Sequence, residues 1–183
     1  MSLQTYFEIE DLIKLGYIHG ADPSCINGAS LDIHLGHQFL IEDPDGGKRI
    51  KLEDKEDALP MVPAPMESGY WALYPGNFAL ASTYETFDLP DDIAFEFKLR
   101  SNIARRACNH LLAGWADPGF HDADLTLELK NDSQHSVLLL NPGLRVGQLV
   151  FWRGTPVPHS KSYRTRGTFN HQRGPTGAMR RAQ

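Results

Sequence analysis

Turn-forming residues punctuate this chain about every ten residues, and that rhythm constrains the fold more than any other feature. Asp43-Pro44-Asp45-Gly46-Gly47, Pro75-Gly76, Pro90-Asp91, Pro118-Gly119 and Pro142-Gly143 supply residues suited to chain reversal. The segments between them read as strands. SLDIHLGHQFLIED alternates at period two from Leu31, and WALYPGNFALASTYETFDLP gives two strands around Pro75-Gly76. IAFEFKLR, LTLELKN, VLLLNPG and VGQLVFW have the same character. Short strands at this spacing predict an all-β barrel or double-sheet fold, mainly β with a few short helices, rather than βαβ units.

Helix signals are confined to two places. Near the N-terminus, Glu8, Glu10 and Asp11 precede Lys14 and Gly16, with Ile9, Leu12 and Ile13 as the buried stripe. The stretch from Arg100 to Cys108 is the one interior piece that reads as a short helix. Residues 42–68 are polar and Pro-rich and predict an excursion over the surface. Without an internal repeat or linker, residues 1–183 form a single domain, with 161–183 a distinct C-terminal arm.

The chain has 183 residues, enough for one domain with a real core. A net charge of −5 and a pI near 5.9 argue against a general binder of nucleic acid or anionic membranes. No apolar run approaches the roughly 20 residues of a membrane helix, and the N-terminus lacks the basic and apolar regions of a signal peptide. Cys25 and Cys108 make no metal pattern and read as reduced thiols of a cytoplasmic protein.

Several catalytic signatures are missing. The chain has no Gly-x-x-x-x-Gly-Lys-Ser/Thr loop, no Gly-x-Gly-x-x-Gly turn, no Gly-x-Ser-x-Gly elbow and no His-Glu-x-x-His pair. His34 and His37 are three apart in a strand-like segment, which puts them on opposite faces and argues against a shared metal. A zinc deaminase needs His-x-Glu with a Pro-Cys-x-x-Cys partner, and this chain has neither.

Three stretches carry chemistry. In Arg100-Ser101-Asn102-Ile103-Ala104-Arg105 a strand runs into a helix start. Backbone N–H groups there, with two arginines, suit a phosphate, and equally suit an N-cap with a surface ion pair. In LAGWADPGFHDADLTLELKN, Gly114 and Gly119 let backbone approach a ligand, Trp115 offers a flat surface and Asp117 can accept from a hydroxyl. Glu128 then lies on the opposite strand face from Leu125, Leu127 and Leu129. It is exposed if only the leucine face is covered; if both faces are covered it is a buried carboxylate fit for general-base work. The third stretch is Arg145-Val146-Gly147-Gln148-Leu149 with the tail. From Lys161 onward six basic residues (Lys161, Arg164, Arg166, Arg173, Arg180, Arg181) occur with no Asp or Glu, and Tyr163 and Phe169 sit among them. That composition suits an anion carrying a flat ring, and equally a solvated terminus.

Taken in order, these stretches resemble the dCTP deaminase branch of the trimeric dUTPase superfamily. GASLDIHLG resembles its S-x-D strand and LYPGNFALASTYETFDLPDDI its PG-x-F segment. RSNIAR is similar to its R/K-S-S-x-A/G-R motif, AGWADPGFHDADLTLEL to its A-G-x-x-D-P-G-F and T-L-E-L segment, RVGQL to its Gln motif, and FNHQRGPT to its Y-x-x-Q-R-G-P-T tail. The resemblance implies a distorted β-barrel of the dUTPase-like kind, a homotrimer with sites at subunit interfaces, and deamination of dCTP. It implies Mg²⁺ brought by the triphosphate, and no zinc. Glu128 matches the glutamate that activates water, and Ser101 and Arg105 match residues that orient and stabilise the reacting centre. Arg100 and Gln148 match phosphate contacts, and Ala113 a small residue beside the pyrimidine. Gly114, Trp115 and Asp117 fall in the ring and deoxyribose loop, while Tyr163, Phe169 and Gln172 fall in the tail that closes over the nucleotide.

Two departures stand out. Asn102 occupies the position of the motif's second serine, and Thr168 that of a triphosphate-binding lysine, for which Arg166 or Arg173 are the substitutes at hand. Gly114-Trp115 stands where members that only deaminate carry His-Arg, which places the resemblance nearer the bifunctional members that release dUMP and pyrophosphate. The rival readings are a plain dUTP pyrophosphatase, which lacks the glutamate at position 128, and a non-catalytic nucleotide-sensing trimer.

Overall fold

The computed structural model of the chain describes residues 1–54 and 57–178, so Arg180 and Arg181 of the basic tail lie outside the described residues. After strand β1 (Ser2–Leu3), helix α1 (Tyr6–Lys14) follows the sequence reading. Glu8 reaches back to accept from the Thr5 backbone N–H at 2.7 Å, a start signal of about 1 kcal/mol. Ile9 and Leu12 are fully buried and Ile13 packs beside them. The strands continue as β2 (Ile18–His19), β3 (Leu31–Glu42), β4 (Met61–Pro63), β5 (Met66–Glu67), β6 (Tyr70–Leu73), β7 (Phe78–Phe87) and β8 (Ile93–Leu99). Helix α2 (Ser101–Ala104) intervenes before β9 (Cys108–His110), β10 (Trp115–Ala116), β11 (Ala123–Asn131), β12 (Leu138–Leu140) and β13 (Arg145–Arg153). Helix α3 (Tyr163–Arg166) lies in the tail.

The fold is all-β and antiparallel. The main sheet runs β10-β8-β13-β3-β7-β11-β9, with β1, β2 and β4 added beside it, and a small sheet runs β12-β6-β5. The two ends of the main path, β9 and β10, are joined by residues 111–114 alone. The sheet must therefore curl until its ends approach, and it forms a distorted barrel. At the seam, the Phe97 N–H of β8 donates to the Gly114 carbonyl at 2.7 Å. The Phe97 ring meets the His110 ring of β9 at 4.5 Å.

The core is packed with aromatics. Phe95 lies 5.0 Å from Phe87, 5.8 Å from Phe120 and 5.9 Å from Phe151, and each such pair adds about 1 kcal/mol beyond its burial. Phe120 also meets Tyr163 of the tail at 5.3 Å, so the core extends directly under the site described below.

Three expectations are modified. The helix expected over Arg100–Cys108 is one turn: Ala107 adopts φ +61, and Cys108 already belongs to β9. A single turn lacks the run of aligned N–H groups that an anion site at a helix start requires. The excursion at 42–68 is not wholly irregular, because β4 returns to pair with β3 and β5 pairs with β6. The strands flanking Pro75-Gly76 do not form a hairpin: β6 belongs to the small sheet and β7 to the main one. His34 and His37 do face different surroundings, His34 Nδ1 lying 2.6 Å from the fully buried Glu85 and His37 packing on Tyr84.

Candidate active site

Glu128 sits on β11 with its register fixed from both sides, opposite Leu80 of β7 and next to Leu129, which pairs with His110 of β9. The period-two pleat sends Leu125, Leu127 and Leu129 into the core. It sends Thr126 and Glu128 to the other face, which the tail covers. Glu128 retains 27% of its side-chain exposure, so it is neither the solvated residue nor the fully buried one that the pattern allowed. Its Oε2 is buried and lies 3.2 Å from His110 Nε2, but makes no aligned hydrogen bond among the described residues.

The face opens into a cavity of about 280 Å³ lined by Glu128 and by five more residues singled out in the sequence: Ala113, Trp115, Tyr163, Phe169 and Gln172. Leu125, named above as part of the core face, also borders it, and Ala116, Phe120, Thr126 and Thr176 complete its wall; those four were not legible as lining beforehand, because the tail's return closes the cavity. Trp115 donates its Nε1–H to Asp117 Oδ1 at 2.9 Å, which fixes the indole. The fold itself leaves no room for a side chain at the site glycines. A Cβ on Gly114 would meet the Phe97 carbonyl at 2.8 Å, and one on Gly119, at φ +83, would meet Ser162 Oγ at 2.2 Å.

The tail is tied down as far as Thr176. Tyr163 N–H donates to the Pro118 carbonyl at 2.9 Å. Gln172 donates to the Asp124 carbonyl at 2.6 Å and to Thr126 Oγ1 at 3.0 Å. Gly174 N–H donates to Asp124 Oδ2 at 2.6 Å. Burial pushes the Asp124 carboxyl and the Tyr163 hydroxyl up from their usual values. Asp122 is held down, to about 2, by hydrogen bonds from His171 and Arg173. Two tail cations are thus committed to carboxylates, Arg164 to Asp88 at 2.7 Å and Arg173 to Asp122 at 2.5 Å, while Arg166 makes no ion pair among the described residues.

The remaining sequence-predicted residues gather elsewhere. Arg105 Nε donates to Ser101 Oγ at 3.1 Å, as the spacing of four on one turn allows. Arg100 Nε lies 3.3 Å from the buried carboxylate of Asp32, which also faces Arg145 at 3.7 Å. Gln148 pairs with Asp32 across β13 and β3, and its Oε1 accepts from Ser30 Oγ at 3.1 Å. Arg100 and Asn102 border a second cavity of about 470 Å³ together with His34, Arg106 and Arg145. Within one chain, then, Glu128 shares one cavity with Ala113, Trp115, Tyr163, Phe169 and Gln172, and Arg100 and Asn102 border another.

Residues 4–154 match the family model described as dCTP deaminase-like. The chain belongs to the dCTP deaminase family. The matched residues of the dCTP deaminase model include β11 with Glu128 and α2 with Ser101; the tail lies beyond them. The dUMP-forming dCTP deaminase of Nocardia farcinica is 34% identical over 163 residues, covering 86% of this chain and 81% of the relative. That of Kocuria rhizophila is 35% identical over 163 residues, covering 86% of this chain and 83% of the relative. Among solved structures, a 2'-deoxycytidine 5'-triphosphate deaminase from Agrobacterium tumefaciens matches with a TM-score of 0.65 at 20% identity, over 83% of this chain and 48% of that one. This member of the dCTP deaminase family therefore spans about half the length of that protein, and the likeness shows a shared fold.

Proposed function

We propose that the chain deaminates dCTP to dUTP and ammonia and carries the product on to dUMP and pyrophosphate. The observation that carries this reading is the Glu128 carboxylate, half-buried in an otherwise largely apolar cavity with one oxygen unpartnered. A carboxylate so placed can take a proton from water, and the resulting hydroxide forms the C–O bond at C4 of the ring. The proton passes to ring nitrogen. Glu128 then moves the new hydroxyl's proton to the amino group, the C4–N bond breaks, and ammonia leaves behind a C4 carbonyl. One acid/base group of this kind contributes about 10²–10⁴ in rate, so fixed donors must supply more. Ser101 and Arg105, already hydrogen-bonded to one another, are those donors. The names of the dUMP-forming relatives support the second step, in which water cleaves the α–β phosphate linkage of dUTP.

Ser101 and Arg105 line no part of the Glu128 cavity in their own chain. The complete site therefore joins the Glu128 cavity of one copy to the arginine-bearing turn of another, in a homotrimer. Exposed Leu111, Leu112, Trp115 and Leu139 supply apolar surface for such association. The tail residues Tyr163, Phe169 and Gln172 hold the ring and sugar, while Arg100, Asn102 and Gln148 face the phosphates. The donor set around Arg100 is cationic and suits phosphate oxygens rather than a bare metal, so Mg²⁺ enters as part of the substrate. Two free cysteines suit a reducing cytoplasm, and no helix among the described residues is long and apolar enough to cross a membrane.

Incubation with dCTP and Mg²⁺, with products separated by ion exchange, tests the reading. Ammonia, dUMP and pyrophosphate are expected, and Glu128→Gln loses turnover by about 10²–10⁴. Consumption of dUTP with dCTP left intact would make the protein a dUTP pyrophosphatase. Binding without turnover of either would make it a nucleotide sensor.

A further inference from the structure

We infer that His110 is a positioning residue for Glu128, an inference that rests on the deaminase reading of that carboxylate. His110 Nε2 and Glu128 Oε2 lie 3.2 Å apart. Both atoms are buried, and neither has an aligned hydrogen-bond partner among the described residues. Buried polar atoms without partners are rare enough that each calls for a reason. A small rotation of either side chain aligns this pair, and the pair then satisfies both atoms.

The surroundings fix the imidazole rather than the carboxylate. His110 retains 5% of its side-chain exposure, its ring is packed against Phe97 at 4.5 Å, and its backbone pairs with Leu129 in the β9–β11 ladder. Glu128 is the looser partner, with a long side chain reaching into the cavity. A donor held on β9 therefore selects one carboxylate rotamer. It leaves Oε1 to face the water. Across the reaction His110 gives up and receives no net proton; the protons move between water, Glu128 and the ring and amino nitrogens.

Other charged groups near the pair are balanced or neutral. On β8, Lys98 is ion-paired with Glu96. On β9 itself, burial pushes the Cys108 thiol up to about 11, which keeps it neutral. Tyr163, across the cavity, is raised by burial and neutral as well. Among the described residues, Glu128 is thus the one carboxylate lining the cavity, and His110 the group placed to act through it.

The test compares His110→Gln with His110→Asn, using the full chain. Gln places an amide N–H near the position of Nε2, whereas Asn stops short, and both keep a polar side chain in the same strand. His110→Gln is expected to retain kcat within about fivefold, and His110→Asn to lose about 10²-fold with little change in KM. Equal kcat in the two variants would overturn the inference. Glu128→Gln is assayed in parallel: if it remains active, the deaminase reading of Glu128 fails, whereas an inactive Glu128→Gln beside a fully active His110→Asn removes only the role of His110.

Discussion

Gln172 reaches back 46 residues to donate its Nε2 to Thr126 Oγ1 at 3.0 Å, two positions before Glu128 on the same strand face. The same amide holds the Asp124 carbonyl at 2.6 Å, and its own Oε1 is buried with no hydrogen-bond partner among the described residues. The tail is thereby registered against β11, with an acceptor to spare for a ligand.

Replacing Gln172 by Leu removes both donors and that free acceptor. Under the proposed function, KM for dCTP is expected to rise by about tenfold or more, corresponding to roughly 1–2 kcal/mol of lost hydrogen bonding. Thermal unfolding should change far less, because the barrel core does not depend on the tail. Steady-state kinetics alongside a melting curve separates the two effects.

Gly119 tests the turn that supports the tail. It combines φ +83 with a Cβ position 2.2 Å from Ser162 Oγ and 2.7 Å from Asp91 Oδ1. Gly119→Ala is expected to cost about 1–3 kcal/mol through strain and displacement of Ser162, which itself donates to Asp91 at 2.5 Å. Urea unfolding measures it, and an unchanged midpoint would contradict the packing described.

Acid should loosen the tail before it unfolds the barrel. The Asp122 carboxyl is held at about 2 by His171 and Arg173, against about 3.9 for a free aspartate. Its contribution is complete above about pH 4 and disappears as pH falls through about 2. Proteolysis within residues 161–178, followed with an acid-tolerant protease, should accelerate across that window in the native chain. In Asp122→Asn it should already be fast at pH 5.

Asp124 shows the opposite sign. Burial raises its carboxyl above the usual range despite the Gly174 N–H that it accepts. Its ionised form therefore costs stability as pH rises above the unfolded value. Asp124→Asn keeps an oxygen for Gly174 and removes the buried charge. Its stability relative to the parent chain should improve from pH 4 to pH 7, as read by parallel denaturation curves.

Much of the local structure was legible. Glu8, Glu10 and Asp11 announced the start of α1, and Pro75-Gly76 and Pro142-Gly143 lie within two residues of β7 and β13. The placement of Glu128 on the face opposite three leucines followed from the two-residue pleat alone. The Arg100–Cys108 helix was overestimated, because nothing in the sequence marks Ala107 as a left-handed residue that ends the turn and opens β9. His110 gave no signal. Its importance depends on which strand β9 pairs with and in what register.

The sequence by itself determined the alternation, the turns and the order of motifs, because dihedral preferences and side-chain period act over a few residues and can be read there. Only the tertiary structure decided that β9 lies against β11, that the tail returns onto Thr126 and Asp124, and that Ser101 and Arg105 stand outside the Glu128 cavity of their own chain. Those outcomes depend on contacts between residues tens of positions apart, chosen by which faces bury together and which loops can close, and no local pattern encodes that choice.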